Sequence, residues 1–284
     1  MSRILAVGIA TLDIINTVNQ YPTEDDEVRA VSQRLCRGGN ATNTLTVLSQ
    51  LGHQCHWAGV LIDEPDARTI EQDLAHYQID TTACQRLNHG KMPTSYITVS
   101  KATGSRTIVH HRDCPEYSFQ AFCQINLADF DWVHFEGRNV AETRKMIRYL
   151  RQHYPQLPCS VEIEKPRPDI ETLITEVPLV MFSKQYAQAN GYTQASKLLE
   201  SLPNGLQATC TWGDAGAWYY ENQTIAHCAA FPPTTLVDTL GAGDTFNAGL
   251  IDGLLKTPNL AQAVEKACRL AGRKCGQSGF ANLN

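Results

Sequence analysis

Late in the chain, Asp238-Thr239-Leu240-Gly241-Ala242-Gly243-Asp244-Thr245-Phe246-Asn247 opens an apolar stretch of helical spacing that runs to about Leu255. Glycines at 241 and 243 let the backbone turn tightly and let a ligand approach main-chain N–H groups. Those groups and the positive end of the helix dipole form an anion site. Asp244 falls in the first turn of the same helix. An acid beside an anion hole can take a proton from an alcohol while the amides hold phosphoryl oxygens. Such general-base help contributes on the order of 10²–10⁴ in rate, and one donor aimed at developing charge about 10²–10³. Taken alone, G-A-G-D is equally a helix start whose acid stabilises the dipole by about 0.3–1 kcal/mol. The longer string is more specific.

The rest of the chain must position this turn. Its 284 residues are 43% hydrophobic and 19% charged, a composition that supports a substantial core. The net charge of −5 comes without a basic patch or stripe, which argues against nucleic-acid binding. Ten cysteines form no C-x-x-C pair and sit mostly in apolar runs, as expected of reduced thiols in a cytosolic protein. Met1 to Ile15 is broken by Asp13 and lacks a small-residue cleavage site, so a first strand is expected there and no signal peptide. No run of 18 apolar residues suggests a membrane span.

Ile4–Ile9 reads as a strand buried on both faces. Helix is expected over Ala41–Leu51, stopped by Gly52, strand over Cys55–Ile62, and helix over Asp66–Tyr77. Strands at Trp132–Phe135, Cys159–Ile163, Leu179–Phe182 and Gln207–Trp212 follow, with a helix at Ala141–Tyr154. Two helices, Gly243–Leu255 and Leu260–Cys275, close the chain. Such alternation implies an α/β fold with a mostly parallel sheet covered by helices on both faces. Tyr96–Ser100 and Arg106–His111 flank a hairpin signal, and Ile14–Val18 and Glu27–Gln33 are similar. These four pieces are expected to form a small antiparallel lid, inserted at about 12–35 and 94–112 in a single domain of 1–284.

The 238–247 string resembles the signature of the ribokinase-type (PfkB) sugar kinases. Arg37-Gly38-Gly39-Asn40-Ala41-Thr42-Asn43 and Thr211-Trp212-Gly213-Asp214-Ala215-Gly216 match two further motifs of that family, in family order. His134-Phe135-Glu136-Gly137-Arg138-Asn139 and Glu162-Ile163-Glu164-Lys165-Pro166-Arg167 are similar to its ketohexokinase branch. The resemblance spans nearly the whole chain. It implies a ribokinase-like fold and phosphoryl transfer from ATP to a ketose, with fructose the first choice of acceptor.

The resemblance also implies roles. Asp13, Asp25, Gly39, Asn40 and Asn43 would bind sugar hydroxyls, a task suited to acids and amides. Arg106, Lys184, Thr211, Trp212, Gly213, Asp214 and Gly216 would line the nucleotide. Asp244 would be the base, and Gly241, Ala242 and Gly243 the anion hole. Asp238 would help hold a potassium ion, and Glu164 would touch magnesium through water or else form a structural pair with Glu162. A homodimer clasped through the lid is implied as well, which would cover otherwise unpaired strand edges. The family's N-x-x-E motif is missing, since Ser183-Lys184-Gln185-Tyr186-Ala187 stands in its place, which leaves magnesium chiefly to ATP and water. Thr211 and Gly213 follow the wider family and not the ketohexokinase branch. Another acceptor (ribose, a keto-deoxy sugar acid, a nucleoside or a modified fructose) and a catalytically silent sugar or nucleotide sensor stay as alternatives. A dinucleotide enzyme is disfavoured, because Gly8-Ile9-Ala10-Thr11 follows the first strand where G-x-G-x-x-G would be required.

Overall fold

The computed structural model describes residues 1–283. Its first strand, β1 (Arg3–Val7), lies inside an eight-stranded sheet, and the chain leaves it directly for the lid strands β2 (Thr11–Val18) and β3 (Ser32–Gly38). It then forms α1 (Asn40–Gln50), β4 (Gln54–Ala58), β5 (Val60–Ile62), α2 (Pro65–His76) and β6 (Gln85–Leu87). The lid is completed by β7 (Lys91–Ser100) and β8 (Arg106–Asp113). After a short helix α3 (Phe119–Phe122) come β9 (Trp132–Glu136), α4 (Val140–His153), β10 (Cys159–Ile163) and β11 (Leu179–Ser183). Helices α5 (Lys184–Ala189) and α6 (Ala195–Glu200) lead to β12 (Gln207–Thr211), β13 (Ala217–Glu221) and β14 (Thr224–Cys228). The chain ends with α7 (Ala242–Lys256) and α8 (Leu260–Cys275).

The large sheet has the order β14-β13-β12-β11-β10-β9-β1-β4, parallel from β12 to β4 and antiparallel through β13 and β14. Every residue of β9 and β10 is buried, as a sheet covered on both faces requires. Helix α7 packs against both α1 and α8. The connection after β1 runs outward to β4, whereas later strands add on the other side from β9. This reversal opens a crevice beyond the carboxyl ends of β1 and β9, where open α/β sheets take ligands.

The second sheet has the order β3-β2-β7-β8; β2–β3 and β7–β8 pair antiparallel as expected, but the central β2–β7 pair is parallel, so the small sheet is mixed. Its register sorts side chains by face. Asp13 pairs with Cys36 and Ser95, Ile15 with Arg34 and Ile97, and these rows continue to His110 and Ile108. All of these except Ile15 line the main cleft. The alternate row, Leu35–Ile14–Tyr96–Val109, faces away, with Leu35 53%, Tyr96 46% and Val109 66% exposed.

Two local expectations are corrected, and one hairpin is added. The strand expected at Glu27–Gln33 lies at Ser32–Gly38, because its partner β2 ends at Val18 and pairing stops at Thr17–Ser32. Cys55–Ile62 is two strands: β4 stops at Ala58 opposite Val7, where β1 ends, and β5 pairs with β6 instead. The β13–β14 hairpin was not anticipated. No helix among the described residues is long and apolar enough to cross a membrane, and all ten cysteines are free.

Candidate active site

A cleft of about 930 Å³ opens between the lid and the carboxyl edge of the large sheet. Three helix or strand ends meet in it. At the first, Gly39 precedes α1 with φ of 106°, and a Cβ there would lie 2.2 Å from the Ile9 carbonyl oxygen. Only glycine lets the lid strand return this close to the end of β1. Asn40 and Asn43 follow on the first turn of α1 and both line the cleft.

At the second, Gly241 takes the left-handed conformation (φ 78°) and starts α7. The N–H groups of Gly243 and Asp244 have no acceptor within the described residues, as expected of a helix's first turn. Asp244 is buried, and its Oδ2 accepts a 2.7 Å hydrogen bond from Asn43 Nδ2. Its Oδ1 takes no hydrogen bond from the described residues. Burial pushes the Asp244 carboxyl well above the usual carboxylate range; the Asn43 hydrogen bond works against this, and the nearby charges of Glu164 and Glu136 add to it.

The third is the end of β9 and β10. The Asn40 amide nitrogen donates to Glu162 Oε2 at 2.9 Å and Glu164 Oε2 at 3.0 Å. Asn247, one turn beyond Asp244, donates to Glu162 Oε1 at 2.9 Å. Glu136 Oε2 accepts from the Ile9 N–H at 3.0 Å and so bridges the crevice between β1 and β9. Burial raises Glu162 and Glu136 alike, with neighbouring carboxylates adding to the shift at both and Arg138 opposing it at Glu136. No three acidic or other metal-ligating side chains among the described residues are placed to hold a metal ion by themselves.

From the lid, buried Asp13 accepts from Thr11 Oγ1 at 2.7 Å. Burial pushes the Asp13 carboxyl up, against hydrogen bonds from Thr11 and Ser95. Arg106, Thr211, Asp238 and Glu164 also line the cleft, as do Gly241, Ala242 and Gly243. Other expected residues stand outside its lining. Asp25 is exposed in the loop between β2 and β3. Lys184 lies 5.6 Å over the Trp212 ring, and Gly213, Asp214 and Gly216 form the tight turn from β12 to β13. Both groups adjoin lining residues, Ser183 and Thr211. Among the lining residues without a role read from the sequence are Glu136, Asn247 and Arg37. The signal for Asn247 was its spacing of one helical turn from Asp244; for Glu136 it was the end of an all-buried strand.

The profile of the pfkB family carbohydrate kinases matches residues 1–284. The chain belongs to this family. It is an ATP-dependent carbohydrate kinase with a ribokinase-like fold. Ketohexokinase of Mus musculus is 39% identical over 290 residues, covering 98% of this chain and 97% of that protein. Ribokinase of Bacillus subtilis (strain 168) is 24% identical, covering 95% and 92% of the two chains. The crystal structure of ribokinase from Cryptococcus neoformans var. grubii in complex with ADP superposes with a TM-score of 0.80 at 18% identity, covering 100% and 96%. The fold is thus shared at low sequence identity.

Proposed function

We propose that the protein transfers the γ-phosphoryl group of ATP to a primary hydroxyl of a ketose, with fructose giving fructose 1-phosphate as the first choice. One observation carries this reading: Asn43 holds Asp244 Oδ2, while among the described residues Oδ1 takes no hydrogen bond and the N–H groups of Gly243 and Asp244 find no acceptor. Asp244 then takes the acceptor hydroxyl's proton, and the Gly241–Gly243 turn holds the phosphoryl oxygens. Little more than positioning and charge stabilisation is needed for this chemistry. The likeness to mouse ketohexokinase supports the choice of acceptor.

Asp13, Gly39, Asn40 and Asn43 surround the space for the sugar, with Asp25 reaching it only if the β2–β3 loop folds inward. Arg106, Thr211 and the neighbouring Lys184, Trp212, Gly213, Asp214 and Gly216 take the nucleotide. Both Glu162 oxygens already accept amide hydrogen bonds and no cluster among the described residues holds a metal alone, so magnesium would arrive on the ATP phosphates, with Glu164 reaching it through water. When bound, it would neutralise charge developing on the phosphoryl oxygens. Asp238 does not fit a potassium ion. Its Oδ1 accepts from the Leu240 N–H, its Oδ2 from Lys274 and the Gly279 N–H, and its carbonyl from Lys274. The outward apolar row of the lid is the surface for a homodimer.

Asp244→Asn should lower kcat by at least about a hundredfold while leaving ATP binding intact. An active variant would end the assignment of the base. A panel of fructose, ribose, keto-deoxy sugar acids and nucleosides, followed by ADP release, identifies the acceptor; turnover of ribose alone would replace the ketose.

A further inference from the structure

Arg37 is the next-to-last residue of the lid strand β3, just before the glycine pair, and it is only 5% exposed. A buried guanidinium demands partners for its donors. Here Nε donates to Asp73 Oδ2 at 2.5 Å, Nη1 to Thr42 Oγ1 at 2.9 Å and to Asn43 Oδ1 at 2.8 Å, and Nη2 to Thr46 Oγ1 at 2.7 Å. The two threonine hydroxyls spend their own hydrogens on backbone carbonyls, Thr42 on Gly38 and Gly39 and Thr46 on Thr42. Their lone pairs are therefore available to the arginine.

This fixes the Asn43 amide. With its oxygen accepting from Arg37, its nitrogen must face Asp244, to which it donates at 2.7 Å. Turned over, the amide would set N–H against N–H on one side and oxygen against carboxylate on the other. A continuous line of alternating charge and dipole thus runs from Asp73 on α2, through Arg37 on β3 and Asn43 on α1, to Asp244 on α7.

We infer that Arg37 and Asp73 are positioning residues for Asp244. They hold Oδ2 through Asn43, so that Oδ1 faces the acceptor hydroxyl. The inference rests on the reading of Asp244 as the base. It gives a lid strand direct leverage on the reacting carboxylate, although Arg37 need not touch the hydroxyl that reacts. Lysine, a single point of charge, cannot span the four acceptors that the planar fork reaches.

The test uses the full-length enzyme with ATP and fructose, or the acceptor that the panel identifies. Arg37→Lys should lower kcat about 10- to 100-fold, the scale of a small misplacement of a reacting group, with KM for ATP held within about twofold. Asp73→Asn, which keeps shape and loses charge, should lower kcat in the same sense by a smaller factor. Guanidinium at millimolar concentration should restore part of kcat to Arg37→Ala. Thermal melts accompany each variant, and kcat is expressed per folded enzyme. A wild-type kcat in either Arg37→Lys or Asp73→Asn overturns the proposal, even where the melting temperature falls. If Arg37→Lys does not fold, Asp73→Asn decides alone. Failure of the underlying reading is separate: it shows as an active Asp244→Asn, whatever Arg37 and Asp73 do.

Discussion

Lys274, fully buried near the end of α8, donates from Nζ to the Asp238 carbonyl at 2.9 Å and lies 3.1 Å from its carboxylate. The two residues tie the last helix to the loop that delivers Gly241. The tie is reinforced by the N–H groups of Val237 and Asp238, which both donate to the Cys275 carbonyl. Lys274→Met should cost about 3 kcal/mol, because removing one partner strands the other in a half-buried site. Urea denaturation should show a lower midpoint at unchanged slope, together with a raised KM for ATP. Wild-type stability in this variant would mean that the loop is anchored elsewhere.

Gly241 carries two constraints at once. Its φ of 78° suits glycine, and a Cβ there would lie 2.2 Å from Phe280 Cζ. Gly241→Ala therefore incurs about 1–2 kcal/mol of backbone strain and displaces the ring. A fall in kcat of more than about tenfold is expected, on the scale of lost oxyanion-type donors. Adding Phe280→Ala removes the clash and should recover part of the loss, a non-additivity expected of neighbours in contact. A double variant no better than the single one would leave φ as the whole cause.

Asp252, buried on α7, is held by His53, Lys256 and Lys266. Burial raises its proton affinity, but hydrogen bonds from these three groups outweigh it and hold the carboxyl well below the usual range. With the folded value below the unfolded one, near about 3.9, the stabilisation is complete above that pH. It drains away as pH falls toward and through the depressed folded value. Asp252→Asn should lower stability at pH 7 and flatten its decline below about pH 4, followed by denaturation at a series of pH values. A variant whose acid limb matched the wild type would assign the decline to other carboxylates.

Legibility followed the length of the local signal. The strands β9, β10 and β11 and the closing helices stood out because continuous apolar runs or helical spacing reveal burial without knowledge of the partner. The G-A-G-D turn and G-G-N did so because glycine at a fixed offset marks a backbone need. What failed was what depends on a partner. The end of β3 is set by where β2 stops, and the break at Gly59 by where β1 leaves the sheet. Arg37 and Asp73 lie 36 residues apart, and nothing local joins them. Glu162 was visible as an acid on a strand, but its two amide donors come from helices at opposite ends of the chain.

The lid's outward face supplies the last test. Val109, Tyr96, Ile14 and Leu35 form one row across four strands, and three of the four are exposed. Contiguous exposed apolar patches are a mark of interaction sites, and β3 and β8 are the edge strands of this sheet. If a second copy covers this face, Val109→Glu places a carboxylate inside an apolar contact at a cost of several kcal/mol. Sedimentation at micromolar concentration should then show a dimer for the wild type and a monomer for the variant. Asp13, Ser95 and His110 sit on the opposite face of the same strands, so the monomer should keep its cleft and lose affinity for the sugar chiefly through a looser lid. A variant that sedimented as a dimer would remove this row from the interface.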